Sequence, residues 1–481
     1  MKIIINGKEE IIDRQNFSIL ELLIIKDVKM PEMVSVELNG EIINKDKYDE
    51  IIIKEGDKIE FLYFMGGGEY IGFATKAIHS GYEKDKETGA TFVPIYSSAS
   101  YEYEKAEDLA DVFDGRKYGY IYSRIANPTV NIFEQKINTL ENGIGAVATS
   151  SGMSAIAAII FALTESGDEI ISSKNLFGGT LLFFNEIMKT YNVKVNFVDA
   201  CDIQAYKKFI NKKTKLIFIE TIANPKLNIP DVKKIAEIAN QNEIPLIIDS
   251  TITTPYLFKA KKHGVSIVVH SATKYLTGNG TAIGGVLIDT GNFLWQKSKS
   301  PKVIKYTNKF GNFGFLACIR KNIIQNSGAC LSPFNAFLHC IGLETLALRM
   351  EKHCENAKKL AEYLKQHTKI INVNYPGLSD NEYYEISAKQ FNNKFGGILT
   401  IRLGNKEKSF RLINNLKLAK NLANIGDVRT LVIHPASTIF HECSKEEMEE
   451  AGVYDDLIRI SVGLEDFEDI INDFEQALKE V

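Results

Sequence analysis

The sequence predicts an α/β chain in three parts: a small α+β unit of β-grasp type, a large domain built on a mostly parallel sheet, and a C-terminal α+β domain. Three observations lead there. Residues 1–65 run strand, strand, helix, strand, strand; residues 145–290 alternate apolar strands with helices; residues 396–481 return to separated strands and a closing helix. With 481 residues the chain is too long for one hydrophobic core.

In the front unit the expected strands are 2–6, 9–13, 34–38 and 58–64, with a helix over 18–26. Ser18 and Glu21 have capping-box spacing at the helix start, and Asn39-Gly40 and Glu55-Gly56-Asp57 are turn signals. Met65-Gly66-Gly67-Gly68-Glu69 follows, after which the pattern changes. The expected units are 1–67, a linker over 68–75, a large domain over 76–325 and a small domain over 326–481.

The large domain should carry strands 145–150, 169–173, 193–199, 215–220, 244–249, 265–270 and 282–289. Helices are expected over 154–164, 180–191, 231–242 and 255–262. Strand–helix alternation implies a sheet covered on both faces, with ligands at the carboxyl ends of its strands. One long helix over 334–365 leads into the last domain, where 396–403, 430–433 and 458–462 read as strands and 466–481 as a helix.

Charge is nearly balanced, formally −4, with no basic block, so no nucleic-acid or anionic-membrane partner is expected. No apolar run reaches membrane-spanning length, and the N-terminus opens as an alternating strand rather than a signal peptide. Six cysteines without a Cys-x-x-Cys suit a reducing cytoplasm and argue against a disulfide framework or structural zinc. His339-Cys340 and His353-Cys354 fall in helical stretches where adjacent residues point apart, so no metal site is expected.

The chemistry concentrates at strand ends. Lys274 lies in Val-Val-His-Ser-Ala-Thr-Lys-Tyr-Leu-Thr-Gly, residues 268–278, and the strand before it ends in Asp249-Ser250-Thr251. This pairing is what pyridoxal phosphate requires. The lysine forms a Schiff base with the cofactor aldehyde, and the aspartate keeps the pyridine nitrogen protonated so the ring acts as an electron sink. Ser271 and Thr273 can hold phosphate oxygens. Ser150-Ser151-Gly152-Met153-Ser154 joins a strand to an apolar helix whose first amides attract an anion. Tyr122 and Arg124 could clamp a phosphate from an irregular stretch. Phe177, before Gly178-Gly179, offers a stacking face, and Asn224-Pro225 sits at the same sheet edge. Arg459, inside a strand, points to a carboxylate ligand; Asn424 precedes Ile425-Gly426-Asp427; His434, before Pro435, reads as a loop residue.

Together these strings resemble the cysteine/methionine-metabolism family of pyridoxal-phosphate enzymes over residues 73–481. The resemblance implies a fold type I transferase, preceded here by the β-grasp unit. Residues 72–129 and 424–440 look most like the O-acetylhomoserine sulfhydrylases, which replace acetate with sulfur to form homocysteine in methionine biosynthesis. Cystathionine γ-synthase and methionine γ-lyase share the fold and stay open as alternatives. Carried over residue by residue, Lys274 is the Schiff-base lysine and Asp249 the pyridine partner. Ser151, Gly152, Met153, Ser271 and Thr273 bind phosphate, and Tyr122 and Arg124 reach the phosphate of a neighbouring subunit. Phe177 stacks on the ring, Asn224 lies near its 3-hydroxyl, and Asn424 and Arg459 hold the substrate carboxylate. The family suggests a homotetramer made of two dimers.

One residue departs from the pattern. The stacking position is commonly tyrosine, with a proton-transfer role that Phe177 cannot fill, so that step falls to Lys274 or water. Gly178 and Gly179 also lack the cysteine of methionine γ-lyases. The front unit is similar to thiamine-type sulfur carriers, ubiquitin-like proteins whose terminal Gly-Gly becomes a thiocarboxylate. Gly66 and Gly67 are internal here, so a carrier role implies cleavage and a sulfur-activating or processing enzyme as partner; a plain glycine linker is the alternative.

Overall fold

The computed structural model describes residues 1–26, 28, 34–44, 47–63, 72–82, 84–85, 87–114 and 119–481. Gly66, Gly67 and residues 68–71 of the expected 68–75 linker lie outside the described residues.

The front unit is a five-stranded sheet of β1 (Lys2–Ile5), β2 (Lys8–Ile11), β3 (Val34–Leu38), β4 (Glu41–Ile42) and β5 (Lys58–Tyr63), in the order β2-β1-β5-β3-β4. The central pair β1–β5 is parallel and its neighbours antiparallel, the mixed arrangement expected of a β-grasp. Alternation puts Ile3 and Ile5 on the inner face, where they share a core with Phe17, Leu22, Leu23 and Val36. The helix Ile19–Ile25 starts in a complete capping box: Glu21 donates its amide to Ser18 Oγ and returns Oε2 to the Ser18 amide.

The large domain begins with the helix Phe73–His79. Its Ala77 and Ile78 carbonyls accept the Nζ of buried Lys136 at 3.2 and 2.8 Å, and Lys259 Nζ sits 4.4 Å above the Phe73 ring. The seven-stranded sheet comprises β6 (Gly145–Thr149), β7 (Glu169–Ser173), β8 (Lys194–Val198), β9 (Thr214–Glu220), β10 (Leu246–Asp249), β11 (Ile267–Ser271) and β12 (Gly285–Asp289). Its order is β6-β12-β11-β10-β9-β7-β8, with β12 antiparallel to both neighbours. Side chains alternate between two cores. Ile217, Ile219, Ile248 and Val268 face one, and Leu216, Phe218, Ile247 and Val269 face the other, which is why these strands read as continuous apolar runs.

Some helices differ from expectation. The helix expected over 180–191 is Gly178–Leu182, a π turn Phe183–Ile187, and Met188–Thr190. The helix expected over 255–262 is reduced to Thr254–Leu257 and a 3₁₀ turn Ala260–His263, because fully buried Phe258 takes an extended backbone between them. The helix expected over 334–365 breaks at Thr345 into Pro333–Glu344 and Leu346–Lys365. The break frees the Gly342 carbonyl, which Arg349 takes at 2.6 Å while its other guanidinium nitrogen holds the Tyr275 carbonyl at 2.6 Å. Gly342 packs so closely that a Cβ there would meet the Leu276 carbonyl at 2.5 Å. The break therefore braces the turn that carries Lys274.

The C-terminal sheet contains β13 (Asn372–Asn374), β14 (Ile398–Arg402), β15 (Lys420–Asn421), β16 (Leu431–Ile433) and β17 (Leu457–Ser461), in the order β13-β14-β17-β16-β15. Leu360, Leu364, Leu412, Phe474 and Leu478 from its helices cover Ile401, Ile458 and Ile460. Among the described residues no helix is long and apolar enough to cross a membrane.

Candidate active site

Three neighbouring strands of the large sheet end in polar residues: Glu220 on β9, Asp249 on β10 and Ser271 on β11. They open into a cavity of about 310 Å³, closed from the other side by Ala423, Asn424, Ile425, Ile439 and Arg459. Ligands of open α/β sheets sit at such carboxyl ends.

Asp249 accepts the Thr251 amide at 2.8 Å, and the Thr251 hydroxyl accepts the Ser271 amide at 2.9 Å, which ties β10 to β11 at the cavity floor. Burial pushes the Asp249 pKa up, while Thr251 and His270 pull it back. The turn after β11 carries Lys274 inward, where Nζ donates to Asn424 Oδ1 at 2.5 Å. Burial, then the charge of Arg459, lowers its pKa to about 8.

The helix Gly152–Leu163 points its N-terminus at the cavity. Ser151 caps it by accepting the Ser154 amide at 3.1 Å. A Cβ on Gly152 would come within 2.8 Å of Ser271 Cβ, so the helix end rests on the β11 turn. Thr273 Oγ accepts the Gly284 amide at 3.1 Å, and Met153 Sδ takes the Thr180 hydroxyl at 3.8 Å. Phe177 forms one wall, 42% exposed. A Cβ on Gly179 would lie 2.7 Å from its ring.

Arg459 is 4% exposed in the centre of β17. It donates to Asn224 Oδ1 at 3.1 Å and to the Asn424 carbonyl at 3.0 Å, and its Nε lacks a partner. Burial lowers its pKa to about 10. A buried guanidinium with no ion-pair partner among the described residues, set in a cavity wall, suits a carboxylate ligand.

Ser151, Gly152, Met153, Phe177, Asn224, Asp249, Ser271, Thr273, Lys274, Asn424 and Arg459 thus all line one cavity. Tyr122 and Arg124 do not. They lie exposed on a loop, with Arg124 5.4 Å from the Tyr122 ring centroid and bonded to the Gln325 carbonyl. His434 closes a loop by contacts with Ser437 and the Asp455 carbonyl, both at 2.8 Å. His339 and His353 bond to Thr277 and to the Val462 carbonyl. Among the described residues no cluster of three His, Cys, Asp or Glu could hold a metal. Sequence reasoning gave no role to Glu220, Thr180 or Thr251, which also line the cavity. The Glu at the end of an apolar strand was their one visible signal.

The donor set fits pyridoxal phosphate along its length. Helix amides and hydroxyls stand at one end, an aromatic face and a carboxylate along the middle, and an amine beside them. Fold and cavity define a fold type I pyridoxal-phosphate enzyme. The chain belongs to the Cys/Met metabolism PLP-dependent enzyme family, which it matches over residues 74–479. Residues 3–68 match the ThiS family. Among similar proteins is the O-acetyl-L-homoserine sulfhydrylase of Leptospira meyeri, 40% identical over 85% of this chain and 96% of that protein. The homocysteine synthase of Schizosaccharomyces pombe is 40% identical over 85% of this chain and 98% of its own length. A Campylobacter jejuni structure described as an O-acetylhomoserine (thiol)-lyase, holding N′-pyridoxyl-lysine-5′-monophosphate, superposes with a TM-score of 0.81. It is 35% identical and matches 85% of this chain and all of that one.

Proposed function

We infer that the protein is an O-acetylhomoserine sulfhydrylase, exchanging the acetate of O-acetylhomoserine for sulfide to give homocysteine in methionine biosynthesis. The observation that carries this reading is the cavity's charge inventory. Among the described lining residues Arg459 is the one guanidinium and Lys274 the one ammonium, with Asp249 and Glu220 as carboxyl groups; around them stand Ile156, Ile222, Ile252, Ile283, Ile425 and Ile439. One guanidinium serves the α-carboxylate of one amino acid, and the apolar remainder suits a small sulfur donor better than cysteine, which brings a second carboxylate. The relatives' names point the same way.

Bound pyridoxal phosphate supplies an electron sink for negative charge at the substrate Cα. Ser151, Gly152, Met153, Ser271 and Thr273 would hold its phosphate, Phe177 would stack on its ring, Asn224 would serve its 3-hydroxyl, and Asp249 would keep its nitrogen protonated. Arg459 and Asn424 orient the substrate carboxylate. Lys274, whose lowered pKa leaves much of it neutral near pH 8, takes and returns the protons at Cα and Cβ. Phe177 has no proton to exchange, so Lys274 works without a phenol.

Tyr122 and Arg124, exposed and outside their own cavity, serve the phosphate of a second copy, which makes a dimer the smallest active unit and a dimer of dimers the expected assembly. Six free thiols suit the cytoplasm. Purified protein should absorb in the visible and lose that band and its activity in Lys274→Ala; an unchanged spectrum overturns the assignment. Sulfide, methanethiol and cysteine assayed in parallel test the donor. Preference for cysteine would make it a cystathionine γ-synthase, and 2-oxobutyrate from methionine alone a γ-lyase.

The β-grasp fold and the ThiS match ending at residue 68 favour a second role for residues 1–67, as a sulfur carrier released by cleavage after Gly67 or Gly68 and charged by an activating enzyme. Mass spectrometry on methionine-starved cells tests it. A front fragment heavier than its plain acid by sulfur replacing oxygen supports the carrier; intact chain alone overturns it.

A further inference from the structure

Glu220 and Asp249 end adjacent parallel strands in direct register, and both line the cavity. Glu220 is 7% exposed. It accepts the Phe177 amide on Oε1 at 2.6 Å, and the nearby Asn224 backbone favours its anion. The residue read as stacking on the cofactor ring is therefore fixed through its backbone to this side chain. The charge acting on Glu220 is that of Asp249. Lys274 bonds instead to Asn424, Arg459 to Asn224 and the Asn424 carbonyl, and His270, which favours the Asp249 anion, bonds to Glu141.

Two neighbouring buried carboxylates without an ion-pair partner do not both ionise. Asp249 has the better claim to the charge, because Thr251 and His270 favour its anion. We propose that Glu220 is a positioning residue that works as a neutral acid: it keeps its proton while Asp249 is ionised, and it anchors Phe177 beside the ring. This rests on the reading of the cavity as a pyridoxal-phosphate site. Burial, then the Asp249 charge, holds the Glu220 pKa well above the ordinary carboxylate range; the Phe177 and Asn224 backbones pull the other way without prevailing. The proton is in place in the fold at pH values where the unfolded chain has lost it. Its contribution to stability is full below the ordinary glutamate pKa and is lost as pH rises through the raised one.

Glutamine keeps the carbonyl acceptor for the Phe177 amide and cannot ionise, whereas alanine removes the anchor. Full-length wild type, E220Q and E220A should be compared without cofactor by melting temperature from about pH 4 to about pH 9, and by pyridoxal phosphate titration. The expected result is a smaller alkaline loss of melting temperature in E220Q than in wild type. E220Q should also bind the cofactor within about threefold of wild type, and E220A about tenfold or more weakly. Identical pH dependence in E220Q and wild type overturns the proposal. So does an E220Q chain that fails to fold or binds as poorly as E220A, since glutamine is the neutral isostere. Wild type that takes up no pyridoxal phosphate would instead overturn the reading of the cavity, and the cofactor-free melting comparison would still judge Glu220.

Discussion

The ammonium of Lys274 and the carboxamide oxygen of Asn424, 150 residues apart in the chain, meet at 2.5 Å across the cavity. The contact joins the large-sheet domain to the C-terminal domain, and under the proposed function Lys274 would leave it to move protons. It gives the free amine a defined resting point between its duties at the substrate carbons.

Only the neutral amine attacks an aldehyde, so cofactor uptake by the apoprotein should quicken as pH rises through about 8 and level off above it. Arg459 contributes to that lowered value. Replacing it by methionine removes a nearby positive charge and should move the midpoint upward. Stopped-flow absorbance at a series of pH values measures both; a midpoint that stays put in Arg459→Met contradicts the coupling.

Asp249→Asn keeps an oxygen for the Thr251 amide and removes the charge. Turnover should fall by about a hundredfold, roughly 2.7 kcal/mol of transition-state stabilisation. Burial disfavours the Asp249 anion, so apoprotein melting should hold or rise above neutral pH, and a variant unstable at every pH would point to a structural role instead.

Gly152→Ala should separate packing from chemistry. Its Cβ would need to sit 2.8 Å from Ser271 Cβ, so the helix end must lift off the β11 turn. A cost of about 1–3 kcal/mol is expected, seen chiefly as weaker cofactor binding. Equal affinity in the variant would show that the helix end does not face the phosphate.

Arg124→Ala and Lys274→Ala should each be inactive as pure proteins. Mixed and allowed to exchange subunits, they should regain activity, because a hybrid dimer then holds one intact site. No recovery after verified exchange would place Arg124 in its own subunit's chemistry.

Lys274, Asp249 and Ser151–Met153 were legible because their signals are local: a polar string straight after an apolar strand. Arg459 was legible because a charge inside an apolar strand stands out. Glu220 was not assigned, since its meaning depends on β9 lying beside β10 in a register that pairs it with Asp249. Nothing within a short window encodes strand order. The Thr345 break escaped for a similar reason, as it is held by Arg349 reaching carbonyls of the Tyr275–Leu276 turn. The π turn Phe183–Ile187 leaves the helical pattern of apolar residues almost unchanged and so hides in it.

The helix Phe73–His79 is moored by Lys136 a few residues beyond the glycine string. A chain cut after Gly67 or Gly68 would begin its catalytic half at an element already fastened to the body. Among the described residues the front core draws on residues 1–61. Each round of translation would then deliver one carrier for every catalyst, an equality of numbers that two separately expressed proteins would need regulation to match.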